Sequence, residues 1–472
     1  MTDRTQYPKQ REYMTQYEKM TVTPVSRLVL TLSVPTIISM LVTNIYNLAD
    51  TAFVGQLGTS ASGAVGVVFG FMAIIQAFGF MFGQGSGSMI ARLLGSRKTD
   101  RASEHATLGF TASFICGVVI LLIGSANLDA IVTALGSTPT IAPYAKTYIT
   151  YILFSAPFMC SSFTLNNILR YEGRAALGMV GLMTGGVLNI ICDPIFMFVF
   201  GMGIAGAGLS TAISQFISWG ILLGMFLLGK TESKLHPGNL KNCGLSMLGN
   251  IMATGFPSLL RQGLNSITTV LLNSCCAVYG DAAVAAMSIV SRIAFFSFSI
   301  ALGIGQGFQP VAGFNYGAGK YSRLKKAFRF TAIAAECIIL VGSAVLIIFA
   351  EPLTGIFRDD PEVIGIAVRA LRLQALAQLL LPPCMAIEML FQSTGKRLGA
   401  SILSSLRSGL LFIPALLILA NLRGLEGIQE AQPLALLISM PISIPFGILF
   451  FRKLPKEDSP DDNASSAGEK QA

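Results

Sequence analysis

Long runs of apolar residues alternate with short polar stretches along almost the whole chain. Each run approaches or exceeds the roughly 20 residues that an α-helix needs to cross the hydrocarbon core of a bilayer. The pattern therefore predicts twelve membrane-spanning helices. Their expected positions are 28–54, 61–86, 107–127, 141–165, 177–200, 204–228, 248–279, 282–309, 330–350, 363–394, 400–421 and 431–451.

A polar stretch in the middle of the chain divides these spans into two sets of six. We expect a cytoplasmic N-terminal segment, an N-terminal six-helix lobe, a cytoplasmic linker, a C-terminal six-helix lobe and a disordered cytoplasmic tail, at residues 1–25, 26–228, 229–246, 247–453 and 454–472 respectively. Disorder is expected in the tail because it contains few apolar residues that could be buried.

An internal repeat relates the two sets of spans. Shifting the sequence by 222 positions places Pro35 on Pro257, and it places the segment 83–85 on the identical segment 305–307. Each copy carries an even number of spans, so both copies enter the membrane in the same direction. The sequence thus predicts an all-α integral membrane protein with two parallel six-helix repeats, a plan that transporters use around a central cavity.

Composition and charge agree with this topology. Hydrophobic residues make up 53% of the chain and charged residues only 12%, against about 25% in an ordinary soluble domain. Lys and Arg concentrate in the N-terminal segment, the even-numbered connections and the tail, whereas the odd-numbered connections hold only Arg358 and Arg423. Because positive residues are retained on the cytoplasmic side, we expect both termini there, and the net charge of +9 requires no nucleic-acid partner.

Several kinds of chemistry find no support in the sequence. The eight cysteines show no CxxC spacing, and two histidines are too few for a zinc site. Neither a phosphate-binding GxxxxGK[ST] loop nor an HExxH or GxSxG hydrolase motif occurs. We therefore expect no enzyme activity, no cofactor and no ATP hydrolysis by this chain.

Ionisable residues inside the spans indicate how transport is coupled. A charge in hydrocarbon costs at least about 2.5–3.5 kcal/mol, so each one requires a reason. Asp50 lies near the outer end of span 1, Asn189 and Asp193 lie one turn apart in span 5, and Thr211 lies two turns into span 6. At this common depth the four side chains could hold a proton or a sodium ion, although Asp50 could alternatively only cap a helix end. The repeat places Leu272 on Asp50, so cation coupling is expected in the N-terminal lobe.

Candidate substrate-cavity residues lie in both lobes, and they include flexible apolar side chains that would suit substrates of varied shape. The charged candidates of the C-terminal lobe either line the cavity or neutralise one another. The full set is Met40, Asn44, Asn47, Phe158, Arg261, Arg292 and Glu388. Pro35 and Pro257 are expected to bend spans 1 and 7. The roles of Glu336 and Glu388 stay open.

Several segments together resemble the multidrug and toxic compound extrusion (MATE) family, and in particular the MepA-like members of its DinF-type branch. The resemblance lies in Pro35…Asn44-Ile-Tyr-Asn47-Leu-Ala-Asp50-Thr51, Gly83-Gln-Gly85, Asn189-Ile-Ile-Cys-Asp193-Pro194 and Gly206-Ala-Gly208-Leu-Ser-Thr211. It extends over nearly the whole chain, from Tyr17 through the twelfth span. The order of these segments is more specific than any one of them.

The resemblance implies a V-shaped pair of bundles that exports organic, often cationic and amphipathic drugs in exchange for Na⁺ or H⁺. It implies that the coupling ion binds at Asp50, Asn189, Asp193 and Thr211. It also implies a multi-pass protein of the bacterial inner membrane, which we expect to act as a monomer. Two alternatives stay open: a flippase for lipid-linked glycan precursors, which Arg261 and Arg292 could serve, and a membrane protein without transport activity.

Overall fold

The computed structural model describes residues 15–357, 360–455 and 458, and these residues form helices and connections without any strand. Residues 1–14 of the N-terminal segment, Arg358 and most of the tail lie outside the described residues. The expectation of disorder in the tail therefore concerns a part of the chain that is not described.

The helices that precede the linker include a short helix at the N-terminus and the six spans of the N-terminal lobe. They are α1 Gln16–Val22, α2 Val25–Gly55, α3 Thr59–Gly95, α4 Thr99–Ala126, α5 Leu128–Ala134, α6 Ala142–Tyr171, α7 Ala175–Pro194 and α8 Ile204–Leu227. A π-helical turn, Ile195–Val199, continues α7 beyond Pro194.

The linker contains a 3₁₀ turn, Pro237–Asn242, and the C-terminal lobe follows it. Its helices are α9 Leu245–Ala277, α10 Asp281–Gly317, α11 Tyr321–Ile348, α12 Ala350–Phe357, α13 Pro361–Gln378, α14 Leu381–Ser393, α15 Arg397–Ser405, α16 Phe412–Arg423 and α17 Leu425–Arg452. A π-helical turn, Leu406–Leu410, joins α15 to α16 as one span.

The twelve predicted spans are confirmed, with corrections to their shape. In the described part of the chain, ten helical segments are long and apolar enough to cross a bilayer, and the bent pair α13–α14 forms an eleventh span. The 33-residue helix α9 completes the set. The tenth span is not one helix, because α13 and α14 meet at 52° just before Pro382 and Pro383, where proline disfavours a continuing helix.

Helix α1, the linker and the end of α17 mark one face of the molecule, which we call the terminal face. In the half of the molecule beside it, a large apolar core joins both lobes, with Leu28 and Ile90 from one lobe and Phe308 and Met389 from the other. A smaller apolar cluster of Met81, Phe82 and Ile251 joins the lobes as well. In the opposite half, each lobe has its own separate core. The lobes therefore touch beside the terminal face, and the cleft between them opens toward the opposite face.

Repeated glycines permit this contact between the lobes. A Cβ atom on Gly95 would lie 2.2 Å from the carbonyl oxygen of Phe314, and a Cβ atom on Gly317 would lie 2.1 Å from that of Arg92. Gly95 and Gly317 occupy the same position in the two repeats. The internal repeat thus produces two equivalent crossing points, and only glycine fits at either.

A buried polar network also crosses between the lobes near the terminal face. The Arg170 guanidinium of the N-terminal lobe donates to Gln309 Oε1 at 2.8 Å. Gln309 Nε2 in turn donates to Gln84 Oε1 and to Gln392 Oε1, each at 3.1 Å. These side chains are all buried. The network closes the floor of the cleft with directional contacts, because the bonds from Gln309 to Arg170 and to Gln84 would have to break for the lobes to part there.

Candidate functional site

Three helices of the N-terminal lobe bring the four predicted coupling residues together. Asp50 lies in the last turns of α2, and Thr211 lies in the second turn of α8. Asn189 and Asp193 lie four residues apart on α7, so they share one helix face. All four side chains are buried.

Hydrogen bonds join these side chains into one cluster. Asn189 Nδ2 donates to Asp193 Oδ1 at 3.2 Å and to Thr211 Oγ1 at 3.3 Å. The Tyr148 hydroxyl, from α6, donates to Asp50 Oδ2 at 3.2 Å. The carboxyl groups of Asp50 and Asp193 are neighbours and interact electrostatically. We call Asp50, Tyr148, Asn189, Asp193, Ser210 and Thr211 the Asp50 cluster.

Three buried oxygens of this cluster have no hydrogen-bond donor among the described residues: Asp50 Oδ1, Asn189 Oδ1 and Asp193 Oδ2. An unsatisfied buried acceptor is costly, and two carboxylates in contact repel one another when both are charged. A proton on one carboxyl group, or a hard monovalent cation among the oxygens, relieves both penalties. The donor set therefore fits a site that exchanges a small cation.

The sequence prediction missed two members of the cluster, Tyr148 and Ser210. Ser210 Oγ accepts from Asn189 Nδ2 at 3.4 Å, and its own hydroxyl donates to the Asn189 carbonyl at 3.3 Å. Tyr148 lies two turns into α6, at the same depth as Asp50 on the antiparallel helix α2. Depth could have indicated Tyr148, but the rotation of α6 that aims its hydroxyl at Asp50 is not visible in the sequence.

The predicted cavity residues of α2 lie at the floor of the cleft. Asn44 Nδ2 donates across the lobe boundary to Ser299 Oγ at 3.0 Å. Met40 and Asn47 lie four residues before and three residues after Asn44, so they share its helix face, and both are half-buried. Phe158 packs elsewhere, in an aromatic cluster with Phe216 and Trp219, whose ring centroids lie 5.0 and 5.1 Å away.

The charged candidates of the C-terminal lobe have different surroundings. Arg261 Nη1 and Glu388 Oε1 form a buried ion pair at 2.6 Å, and Ser404 donates to the same carboxylate oxygen at 2.8 Å. Of the two alternatives, mutual neutralisation thus describes this pair. Arg292 is exposed and forms no ion pair with another described residue. The glycan-flippase alternative loses one of its two arginines, since Arg261 is already neutralised.

Two other ionisable residues, Arg407 and Glu336, lie within the spans of the C-terminal lobe. Arg407, which the sequence argument did not single out, lies 5.0 Å from the centroid of the Phe298 ring. Glu336 is half-buried and has no ion-pair partner in the described part of the chain. Neither residue joins the Asp50 cluster.

Both candidate bend residues lie inside long helices next to contacts between the lobes. Two residues before Pro35, Ser33 Oγ donates to the Ile304 carbonyl at 3.4 Å. Two residues before Pro257, a Cβ atom on Gly255 would lie 1.8 Å from the Met81 carbonyl oxygen. The repeat therefore places each proline beside a point where α2 or α9 touches the other lobe.

Comparisons with known proteins agree with this architecture. A family model described as MatE matches residues 35–195 and 257–418, one segment in each lobe. The multidrug export protein MepA of Staphylococcus saprophyticus is 29% identical over 397 residues, which cover 84% of this chain and 87% of that protein.

Solved structures resemble the whole fold. A MATE protein crystallised in complex with MaL6 has a TM-score of 0.89 at 26% identity, covering 94% of this chain and 100% of that chain. A MOP superfamily transporter from Pyrococcus furiosus, for which reversed polarity of the binding pocket suggests a different function, has a TM-score of 0.88 at 26% identity with the same coverage.

Proposed function

The chain belongs to the multidrug and toxic compound extrusion (MATE) family, and from this premise we propose that it exports drugs in exchange for a cation bound at the Asp50 cluster. It is a multi-pass membrane protein of a transporter family, which is not a class of enzymes. The substrates we propose are organic, amphipathic and often cationic compounds. The coupling ion is Na⁺ or H⁺.

The observation that carries this proposal is the set of buried oxygens without a donor, Asp50 Oδ1, Asn189 Oδ1 and Asp193 Oδ2. Most buried acceptors in a purely structural cluster have a hydrogen-bond donor, whereas three neighbouring oxygens lack one here. A site that fills and empties with a cation instead needs oxygens that no fixed donor occupies. The relative MepA is named a multidrug export protein, which supports the proposed class of substrate.

The proposed orientation places the terminal face in the cytoplasm of a bacterium, at the inner membrane. Support comes from the basic residues near that face, among them Arg97, Lys98, Lys234, Lys325 and Lys326, because Lys and Arg are retained on the cytoplasmic side. In this orientation the cleft opens outward. The state described here is then the one that releases drug and admits the coupling ion.

Export follows from competition between drug and cation. When a cation occupies the Asp50 cluster, the charge and hydrogen bonding at the end of α2 change. This change disfavours drug on the Asn44 face of the same helix. Because the coupling between two binding sites is reciprocal, drug binding also disfavours the cation, so the two are carried in opposite directions.

The test is drug efflux in proteoliposomes that contain the purified full chain, with a pH gradient and a sodium gradient imposed separately. We expect one of the two gradients to drive efflux. Asp50→Asn and Asp193→Asn should each abolish the gradient-driven part, because an amide neither accepts the proton nor supplies the negative charge.

The matched control is Asp129→Asn, which makes the same chemical change at an exposed residue that pairs with Lys146. This variant should keep wild-type efflux. Gradient-driven efflux that persists in both Asp50→Asn and Asp193→Asn would remove the Asp50 cluster from the mechanism. If neither gradient drives efflux in the wild-type protein, the proposed exchange is wrong.

A further inference from the structure

A cavity lies far from the Asp50 cluster, where the two lobes meet at the terminal face. It has a volume of about 270 Å³. Its walls come from the ends of α3 and α10 and from the start of α4, so both lobes contribute. Its polar side chains are Arg92, Ser96, His105 and Tyr316, and Met89 and Leu93 add apolar surface. We call it the seam cavity.

The seam cavity carries positive charge that no carboxylate neutralises. Arg92 Nε donates to the Ser88 carbonyl at 3.1 Å, and Nη1 approaches the Thr394 carbonyl at 3.5 Å. In the described part of the chain Arg92 has no ion-pair partner, and Arg397 adds a second positive charge nearby. The nearest acid, Glu104, is already bound to Arg101 at 3.2 Å and to Asn242 at 3.2 Å.

His105 presents one free nitrogen to the cavity. Its Nδ1 lies 2.7 Å from the Arg101 carbonyl oxygen, and because a carbonyl only accepts, Nδ1 carries the hydrogen. Nε2 is therefore the available acceptor of the neutral ring. The side chain is only 7% exposed. A ligand hydroxyl could donate to this nitrogen.

The internal repeat shows that the cavity is not a packing defect common to both seams. On the equivalent seam, helix α1 fills the space, and Asn315 Nδ2 donates to the Met20 carbonyl at 3.3 Å. A Cβ atom on Gly173 would meet Met20 there, just as one on Gly395 would meet Arg92 at the seam cavity. One seam is thus filled by helix α1, and the other is not filled by any residue of 15–357, 360–455 or 458.

The repeat also changes the chemistry of the two seams. The positions of Arg92, Ser96 and His105 are occupied in the second repeat by Phe314, Ala318 and Ala327. The linker segment that corresponds to α1 does not enter the seam cavity. Instead, Asn239 of its 3₁₀ turn donates to Thr107 of α4 at 3.3 Å. Arg92, Ser96 and His105 thus give cationic and polar groups to the seam that none of the described residues fills.

We propose that the seam cavity binds a glycerophosphate group, supplied either by phosphatidylglycerol or by a soluble glycerophosphate. An arginine fork matches phosphate oxygens, and a glycerol hydroxyl would donate to His105 Nε2. The hydroxyls of Ser96 and Tyr316 can bond the remaining oxygens. Met89 and Leu93 would contact the first methylene groups of a lipid, since the ends of spanning helices lie at the headgroup level.

The two-lobe construction gives the ligand a conformational role. The seam cavity exists only while the ends of α3 and α10 are in contact, so its ligand stabilises the closed terminal side by the free energy of binding to that state alone. Binding itself does not depend on the transport activity proposed above. It can therefore be tested without a drug or an ion gradient.

The experiment is native mass spectrometry of the purified full chain in detergent, with phosphatidylglycerol and phosphatidylcholine titrated separately. In a second arm, sn-glycerol 3-phosphate is titrated by calorimetry. We expect selective binding of phosphatidylglycerol over phosphatidylcholine. Arg92→Gln should weaken binding by about tenfold or more, the usual effect of losing a charge-assisted hydrogen bond, and Tyr316→Phe should weaken it by a smaller factor.

The matched control is Arg97→Gln, which removes one positive charge from the same end of α3 but lies over the Tyr17 ring, outside the cavity. It should bind like the wild type. Binding of phosphatidylglycerol alone identifies the lipid as the source, and binding of sn-glycerol 3-phosphate identifies the soluble one. Equal binding of both lipids with no glycerophosphate binding, or an equal loss in Arg92→Gln and Arg97→Gln, would overturn the proposal. Should Arg92→Gln not fold, Tyr316→Phe, which removes a single oxygen, decides the outcome.

Discussion

In the proposed mechanism, single residues of the Asp50 cluster differ in whether they bind the coupling ion or position another residue. Asp50 and Asp193 supply oxygens without donors, whereas Tyr148 holds Asp50 Oδ2 through one hydrogen bond. Tyr148 therefore positions the carboxylate and lowers the number of orientations that it can take. This distinction leads to different expected kinetics for the two kinds of substitution.

Tyr148→Phe should change the apparent affinity for the coupling cation by roughly tenfold, because a hydrogen bond to a charged group contributes about 1.5–3 kcal/mol. Na⁺ should bind more weakly to the less ordered carboxylate, whereas H⁺ should bind more tightly, because the charged form of Asp50 loses a donor. The maximal rate of efflux should change little, since both carboxylates remain. The measurement is the dependence of drug efflux on cation concentration in proteoliposomes. Tyr144→Phe, at an exposed tyrosine of the same helix, is the control, and an equal effect of both substitutions would contradict the positioning role.

The ion pair of Arg261 and Glu388 should be structural. Glu388→Ala leaves a buried guanidinium without its partner and is expected to lower the free energy of unfolding by about 3–5 kcal/mol. The double change Arg261→Met with Glu388→Leu should recover most of that loss, because it removes both charges. Thermal unfolding of the purified protein tests this, and a double variant as unstable as Glu388→Ala would refute it.

For single residues, the sequence indicated how deep each side chain lies in the membrane. It did not indicate in which direction the side chain points from its helix axis. Depth alone correctly grouped Asp50, Asn189, Asp193 and Thr211, because their oxygens lie on short, well-defined spans. The same reasoning could not separate Arg261, which faces Glu388, from Arg292, which is exposed. Phe158 was placed in the cavity by its chemistry, whereas packing with Phe216 and Trp219 determines its position.

Among the elements, the linker is held to the N-terminal lobe by several contacts, one of which is a buried carboxyl group at the end of α6. The backbone N–H groups of Glu232 and Ser233 donate to Glu172, each at 3.0 Å, and the Ser233 hydroxyl donates as well. Burial raises the pKa of Glu172 to about 7, above its ordinary value of 4.5, although these donors and Arg174 oppose the rise.

This raised pKa makes the attachment of the linker dependent on pH. The unfolded chain releases the proton near pH 4.5 and the folded chain only near pH 7, so the stabilising contribution is complete below about 4.5 and is lost as the pH rises through 7. Thermal unfolding between pH 4.5 and 8 should therefore show a steeper loss of stability for the wild type than for Glu172→Gln. Glu232→Gln serves as a control that keeps the wild-type slope, and parallel curves for wild type and Glu172→Gln would count against this assignment.

The lengths of the apolar runs predicted the number of spans well. They predicted less well the residues at which the helices begin and end. Helices α4 and α11 begin at Thr99 and Tyr321, before the predicted spans, because polar residues continue a helix beyond the hydrocarbon core. The break between α13 and α14 follows from the pair Pro382–Pro383, which the sequence does contain. The short helices α5 and α12 lie in connections, where hydropathy carries no signal.

For the whole molecule, the contact between the lobes depends on the equivalent glycines Gly95 and Gly317. Gly95→Ala should disfavour the closed terminal side by about 1–3 kcal/mol, the usual cost of overpacking, since its Cβ atom would meet the Phe314 carbonyl. Drug efflux should fall, and a cysteine placed at Ser88 should become more reactive toward a membrane-impermeant thiol reagent. Gly66→Ala, where no atom lies within 4 Å of the added Cβ, should leave both readouts unchanged; equal behaviour of the two variants would contradict the role of Gly95.

The separation of the outer cores has a mechanical consequence. Parting the lobes beside the terminal face exposes the apolar cores that they share there, whereas moving them at the other end leaves the separate core of each lobe intact. In the empty transporter, the shared apolar cores therefore favour the conformation in which the terminal side is closed. Each transport cycle must break these contacts between the lobes once. A substrate that enters from the terminal side has to supply the required free energy through its own binding.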